Sequence, residues 1–367
     1  MKRILRFFQA SEPIAWALAV LLLPLTSVPL LARLTGAATV APISALPVAW
    51  LVAVFFIPYL LQGGRLPRQM LPFFVFIGMA VVASAAAYFL DVPYYRNRDL
   101  LGEQIPAFAT LALGAAYYLI FATWPRSESR LQLTLKLINI GGIFIIIWSM
   151  LQAGVIWGLN GRYPAVMIQI QAWLSLQDFI PGRVSGFTYE PSWLAHQLNI
   201  LYLPFWLAAS VGRYSAHRFR FGPVSVENLL LLGGVGVLLF SFSRVGILAF
   251  LIVCAFLIGR QALHWASRWS ERPRRGREPS RLARLASQAG LLLGFGLLLL
   301  VGFAALIFLM GRVDERLASL FDPENLVGAS FYDITNQLAF AERVVYWATG
   351  WEVFNEYPLL GVGLGTT

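Results

Sequence analysis

The chain has 367 residues, of which 58% are hydrophobic and only 13% charged, with a mean hydropathy of +0.69. Soluble domains carry about 25% charged residues, so a water-soluble globular protein is excluded and a polytopic, all-α membrane protein is expected. The formal charge of +10 invites nucleic acid as a partner, but in a membrane chain excess Arg and Lys is first an orientation signal, and no nucleic acid is expected.

The start, MKRILRFFQASEPIAWALAVLLLPL, has a basic head and a long apolar run without a small-residue cleavage site. It reads as a retained first span, with the N-terminus in the cytoplasm. Further apolar runs follow, so that candidate spans fall at 14–34, 43–62, 70–90, 104–124, 133–157, 191–211, 229–242, 245–259 and 286–310. These nine crossings leave nine of the 28 Lys and Arg outside and nineteen inside, the bias expected of cytoplasmic loops. Pro24, Pro58 and Pro204 are expected to kink their spans. The chain is thus read as one integral membrane domain over 1–367, with an outer loop at 158–190 that includes an interfacial helix. A basic cytoplasmic loop at 260–284 lies near anionic headgroups, and 311–367 opens a large outer segment with a helix at about 335–356, stopped near Pro358. Cys254, the single cysteine, sits in an apolar run, so neither a disulfide nor a cysteine metal site can form within the chain.

The run 229–260 holds one charge, Arg244, near its middle. An arginine at the centre of a spanning helix costs about 2.5 to 3.5 kcal/mol on insertion scales, so it needs a partner or an escape from lipid. At about 1.5 Å per residue the run is ~48 Å long, too much for one ~30 Å hydrocarbon core. Two short limbs are therefore expected, with Gly233, Gly234, Gly236 and Gly246 loosening the helix and Ser241 and Ser243 suiting a polar bend. Basic segments on both sides put the ends of this hairpin in the cytoplasm and Arg244 at its outer tip.

Three outer stretches carry the chemistry: RVSGFTYEPSWLAHQL (183–198), SFSRVG (241–246) and ERVVYWATGWEVFNEYPLLGVGLG (342–365). In order, spacing and topology they resemble the O-antigen ligase and polymerase superfamily of bacterial envelope glycosyltransferases, over about residues 181–365. The resemblance implies a GT-C-like enzyme of the inner membrane, working at its outer face on a glycan carried by undecaprenyl diphosphate. It implies no metal and no other cofactor. The acceptor is a saccharide or a second lipid-linked unit, and membrane lipids are the remaining partners. The ligases of that superfamily use a histidine in an outer loop beyond the glycine-rich motif, and none follows it before Thr367. The chain is therefore expected to be either truncated from a longer protein or an inactive remnant, and not to transfer glycan as it stands.

The residues point the same way. Guanidinium forks bind phosphate oxygens bidentately, and charge grows on a leaving diphosphate, so pre-set arginines favour the transition state over the ground state. Arg183, Arg244 and Arg343 are the candidate diphosphate-binding residues. Beside that stand structural readings: Arg244 capping its hairpin, Arg343 pairing with Glu342 or Asp333, and Arg183 as an ordinary interfacial arginine after Pro181-Gly182. Glu190, the candidate catalytic base for an acceptor hydroxyl, precedes Pro191, where an acid also suits a helix start. His196 reads as a packed helix histidine, and His217 and His264 fall on the cytoplasmic side. The GVGLG run lacks a preceding strand and reads as a flexible turn; Asp314-Glu315 and Asp322-Glu324 read as solvated surface. The reading from a different class is a transporter or flippase for a lipid-linked or anionic substrate. It would place ionisable groups near the bilayer midplane, whereas the first four spans hold almost none away from their ends.

Overall fold

The computed structural model describes residues 2–90, 99–217, 219–222, 224–270, parts of 289–302, and 341–365. Two compact units are distinguished, 1–241 together with 343–367, and 242–342. The expected span at 286–310, the basic stretch 271–284 and the start of the outer segment at 311–340 lie wholly or largely outside the described residues.

In the first unit the helices are α1 (Lys2–Leu21), α2 (Pro29–Thr35), α3 (Ala45–Leu51), α4 (Ile57–Leu61), α5 (Leu71–Ala86), α6 (Leu100–Thr123), α7 (Glu128–Gly158), α8 (Ala165–Leu174), α9 (Pro191–Gln197), α10 (Leu203–Val211) and α11 (Val226–Phe240). Their starts follow from local sequence: the side chains of Asp99, Ser127 and Ser225 accept the N–H of Gly102, Arg130 and Asn228, filling donors that a helix start leaves open. Helix α7 is the spine, packing on α1 and α11, while α1 also meets α3 and α11 meets α10.

Two of the three prolines disturb their helices from within, whereas Pro24 follows the end of its helix instead of kinking it. Pro58 and Pro204 have no N–H to continue an i→i−4 ladder and crowd the carbonyl four residues back. The turns before them widen to π-helix at Val52–Phe56 and Leu198–Tyr202, where Ile57 N–H bonds Val52 O and Leu203 N–H bonds Leu198 O. Near Pro24 the helix ends: α1 stops at Leu21 rather than running to residue 34. Beyond it Ser27 pairs with Ala41 and Ser175, and α2 forms a separate short helix against α8, ended by Gly36 at φ +71°. A second departure from the all-helical expectation is an antiparallel pair, β1 (Arg220–Phe221) and β2 (Val224–Ser225), turned by Gly222 at φ +61°.

The core of the first unit is built around Trp206 of α10. A Cβ at Gly142 of α7 would lie 2.3 Å from its ring, and one at Gly234 of α11 2.6 Å from it, so two glycines admit one indole between three helices. This corrects the reading of the α11 glycines as a loosened helix. Helix α11 runs unbroken through them, and they admit Ile146, Trp206 and Met150 side chains instead. The Trp206 Nε1–H donates to Asn139 Oδ1 at 2.8 Å, and Asn139 Nδ2 donates to the buried Glu227 at 2.9 Å, whose same oxygen accepts the Ala216 N–H at 2.9 Å. At the end that the sequence assigns to the cytoplasm, Arg130 pairs with Glu12 at 2.6 Å, and Arg126 donates to Arg65 O at 2.9 Å.

In the second unit α12 (Arg244–Ser270) is longer than the expected limb 245–259. Four helices among the described residues are long and apolar enough to cross a membrane: Arg68–Phe89, Leu100–Thr123, Glu128–Gly158 and Arg244–Gln261. Shorter apolar helices cover Ala10–Leu21, Ala45–Leu61, Ala165–Leu174 and Val226–Phe240. The last described helix, α13 (Ala341–Glu356), ends two residues before Pro358, as expected.

Candidate active site

The loop 183–190 is held from two sides. On one, Val184 N–H bonds Phe240 O and Arg183 Nε–H bonds Ser241 O, both at 3.1 Å, tying the first motif to the C-terminal end of α11, where the second motif begins. On the other, the buried Gln152 of α7 bonds the backbone of Ser185 and Gly186. Gly186 sits at φ +59°, and an added Cβ would lie 3.0 Å from Leu194 and 3.1 Å from Ser149 Oγ, so a larger residue would meet both backbone strain and tight contacts. Thr188 Oγ–H lies 2.8 Å from Ser185 O and 2.7 Å from Glu190 O, closing the loop on itself, and Phe187 stacks on Trp148 at 5.9 Å.

Arg183 is half-buried and Glu190 exposed, at the two ends of a loop whose middle is buried. Glu190 is the N-cap residue of α9, as its place before Pro191 suggests, yet its side chain does not cap. The carboxylate instead accepts the Ser192 hydroxyl at 2.9 Å. Neighbouring Tyr189 N–H meets Thr26 Oγ at 3.3 Å, which brings the segment after α1 against this loop. His196 is exposed rather than packed, because it falls on the face of α9 opposite Leu194, Ala195 and Leu198.

The bend expected at Ser241–Ser243 is where α11 ends: Ser241 is buried with its hydroxyl on Leu238 O at 2.6 Å, and Phe242 takes φ +47°. Arg244 is the first residue of α12, half-exposed, directly after Ser243, whose hydroxyl accepts Gly246 N–H at 3.3 Å as an N-cap. The positive end of a helix dipole thus adds to the guanidinium charge there.

Arg343 lies exposed in the first turn of α13, at the head of the third motif. The glycine-rich end of that motif is not a flexible turn. Gly361, Gly363 and Gly365 have φ of +67°, +87° and +78°, and the last two press on the ends of α5 and α6. A Cβ at Gly365 would lie 2.7 Å from Glu103 O. Ser84, itself bonded through its carbonyl to the buried Gln104 amide at 3.0 Å, accepts Leu364 N–H at 3.0 Å. Among the described residues no group of three or more His, Cys, Asp or Glu side chains could hold a metal ion.

Sequence reasoning missed Gln152, Ser84 and Gln104, all polar residues inside apolar helices. Their signal is that position alone, since a buried amide or hydroxyl needs partners, and the partners here are motif backbones or their support.

The apolar helices define a multi-pass helical membrane protein. Residues 229–367, less than half of the chain, match the family model of the O-antigen ligase, and that similarity supports a membrane enzyme of surface polysaccharide assembly. No curated protein and no solved structure matches the chain.

Proposed function

We propose that this protein transfers a glycan from a lipid diphosphate carrier to an acceptor at the outer face of the membrane, as ligase or polymerase. The observation that carries the proposal is the bond from Arg183 Nε to Ser241 O, at 3.1 Å. It joins two motifs 58 residues apart and fixes the Nε of a guanidinium in a loop that also ends in a carboxylate. Acceptor hydroxyl attack on the sugar's anomeric carbon breaks the bond to the diphosphate oxygen, and negative charge grows on the departing group. Arg183, Arg244 and Arg343 are the cations for that charge, and Glu190 is the base that takes the hydroxyl proton.

The same contacts support an orientation. Glu12, Arg65, Arg126 and Arg130 meet at one end of the first unit, which supports that end as cytoplasmic. The contacts of 183–190 with 240–241, and of 363–365 with Ser84 and Glu103, support a shared outer end.

The test is reconstitution of the encoded protein in liposomes with a lipid-diphosphate-linked glycan. The expected result is release of lipid diphosphate coupled to glycan transfer. A saccharide acceptor as the only acceptor used defines a ligase, and lengthening of lipid-linked glycan a polymerase. Release with neither, or no release from a correctly oriented protein, overturns the proposal.

A further inference from the structure

Gln152 lies on α7, 31 positions before Arg183, inside a stretch that reads as plain membrane span, and it is completely buried. Its carboxamide makes three hydrogen bonds to two consecutive residues of the first motif. The Oε1 atom accepts Ser185 N–H at 3.1 Å and Gly186 N–H at 3.0 Å, while Nε2 donates to Gly186 O at 2.9 Å. The amide therefore has one orientation only, since two donors approach its oxygen and an acceptor its nitrogen. It serves this loop as a neighbouring strand would, in a place where no strand exists. A buried amide of this kind costs stability when unpaired, so the span keeps it at the price of depending on one backbone geometry.

We propose that Gln152 is a positioning residue for the transfer reaction: through the backbone of Ser185 and Gly186 it fixes the separation of Arg183 and Glu190. It acts on them through the loop between them, to which these three bonds go. Everything else on that loop lets it do so. Val184 is pinned to Phe240, Thr188 binds Ser185 O and Glu190 O, and Gly186 takes the left-handed conformation facing the amide at φ +59°. Freed from Gln152, the loop keeps Val184 and Arg183 on α11 but loses the anchor that sets where the Glu190 end begins.

The inference rests on the proposed glycan transfer for its functional half and on no activity for its structural half. Gln152→Leu removes all three bonds at similar volume, and Gln152→Glu keeps the two acceptor bonds but loses the donor to Gly186 O. Amide hydrogen exchange on the full protein in liposomes is the first readout. In Gln152→Leu, peptides covering 183–190 should exchange at least tenfold faster, with α7 and α11 peptides unchanged, and Gln152→Glu should show a smaller change centred on Gly186. The second readout is steady-state transfer, where kcat should fall at least tenfold while KM for the donor stays within about twofold, the pattern of an interaction realised in the transition state. Unchanged exchange at 183–190 overturns the proposal, as does full kcat in a variant whose loop has loosened. If Gln152→Leu does not assemble in the membrane, the same two outcomes are read on Gln152→Glu. A wild-type protein without transfer sinks the glycosyltransferase reading by itself, while the exchange data still decide whether Gln152 holds the loop.

Discussion

Gly363 lies so close to Ser84 that a Cβ added to it would sit 2.8 Å from the Ser84 Cα, and the next residue, Leu364, donates its N–H to the Ser84 hydroxyl at 3.0 Å. Two independent demands therefore fall on one glycine, a φ of +87° and the absence of a side chain. Gly363→Ala is expected to cost about 1–3 kcal/mol, through backbone strain and overpacking together. Ser84→Ala removes only the hydrogen bond and should cost about 1 kcal/mol. Gly350 is the control: it is mid-helix in α13 with nothing within 4 Å of its added Cβ, so Gly350→Ala should stabilise by about 0.5–1 kcal/mol. Thermal unfolding in detergent ranks the three variants. Equal effects of Gly363→Ala and Gly350→Ala would show that the turn is not clamped.

Asn139 joins the Trp206 indole to the Glu227 carboxylate in the core of the first unit, with both bonds shorter than 3.0 Å. Asn139→Ala orphans a buried N–H and weakens the hold on a buried acid, so a loss of about 3 kcal/mol or more is expected. Asn139→Asp keeps the acceptor for Trp206 but turns the donor facing Glu227 into a second acid. Two carboxyls would then share a buried site without the amide donor between them, so Asn139→Asp should lose at least as much stability as Asn139→Ala, read by thermal unfolding in detergent. An Asn139→Asp protein as stable as the parent would mean that the network relaxes around the new acid.

Topology is tested by accessibility. Ser129, exposed beside the Glu12–Arg130 pair, is on the expected cytoplasmic side, and Gln169, exposed on α8, on the outer side. In a Cys254→Ser background, Ser129→Cys should react with an impermeant thiol reagent only in inside-out vesicles and Gln169→Cys only in right-side-out ones. Labelling of both from one side would remove the outer-face site.

Much of this organisation was legible in the sequence, because hydropathy and proline are local signals. The break at Ser241–Ser243, the start of α9 at Glu190-Pro191 and the end of α13 before Pro358 all follow from them. What hydropathy cannot report is whether an apolar residue faces lipid or a partner helix. Leu30 and Leu34 continued the first apolar run on paper, yet they belong to a separate short helix that rests on α8. The α11 glycines looked like flexibility because the side chain that fills their space, Trp206, comes from another helix. Gln152 was invisible for the same reason: its partners lie 33 and 34 positions away, in a loop. Of the site, the motifs and their residue types were readable, while the bonds that hold them were not.

The last prediction separates an arginine that binds diphosphate from one that only packs. Arg183 is half-buried with Nε on Ser241 O, and Arg343 is exposed on the first turn of α13. A packing role is served nearly as well by lysine, which has a long stem and the same charge. A diphosphate role needs the planar fork, so Arg→Lys is not conservative there. Arg183→Lys should lower stability by about 1 kcal/mol or more, since the bond to Ser241 O goes with the Nε–H, and exposed Arg343→Lys by about 1 kcal/mol or less. Both should nevertheless reduce transfer at least tenfold at equal protein level, about 1.4 kcal/mol of transition-state stabilisation for each. Arg244→Lys, at the start of α12, is held to the same standard. Helix capping by Ser243 does not depend on the residue that follows it, so Arg244→Lys keeps the helix start and the charge, and transfer should still fall tenfold at equal protein level. The comparison that decides is between Arg→Lys and Arg→Gln at each position. A diphosphate site should lose most of its activity already at lysine, with glutamine only somewhat worse, whereas a site that needs charge alone should tolerate lysine and fail at glutamine. Full transfer in a lysine variant demotes that arginine to structure, and full transfer in all three would leave the diphosphate-binding role without a residue to perform it.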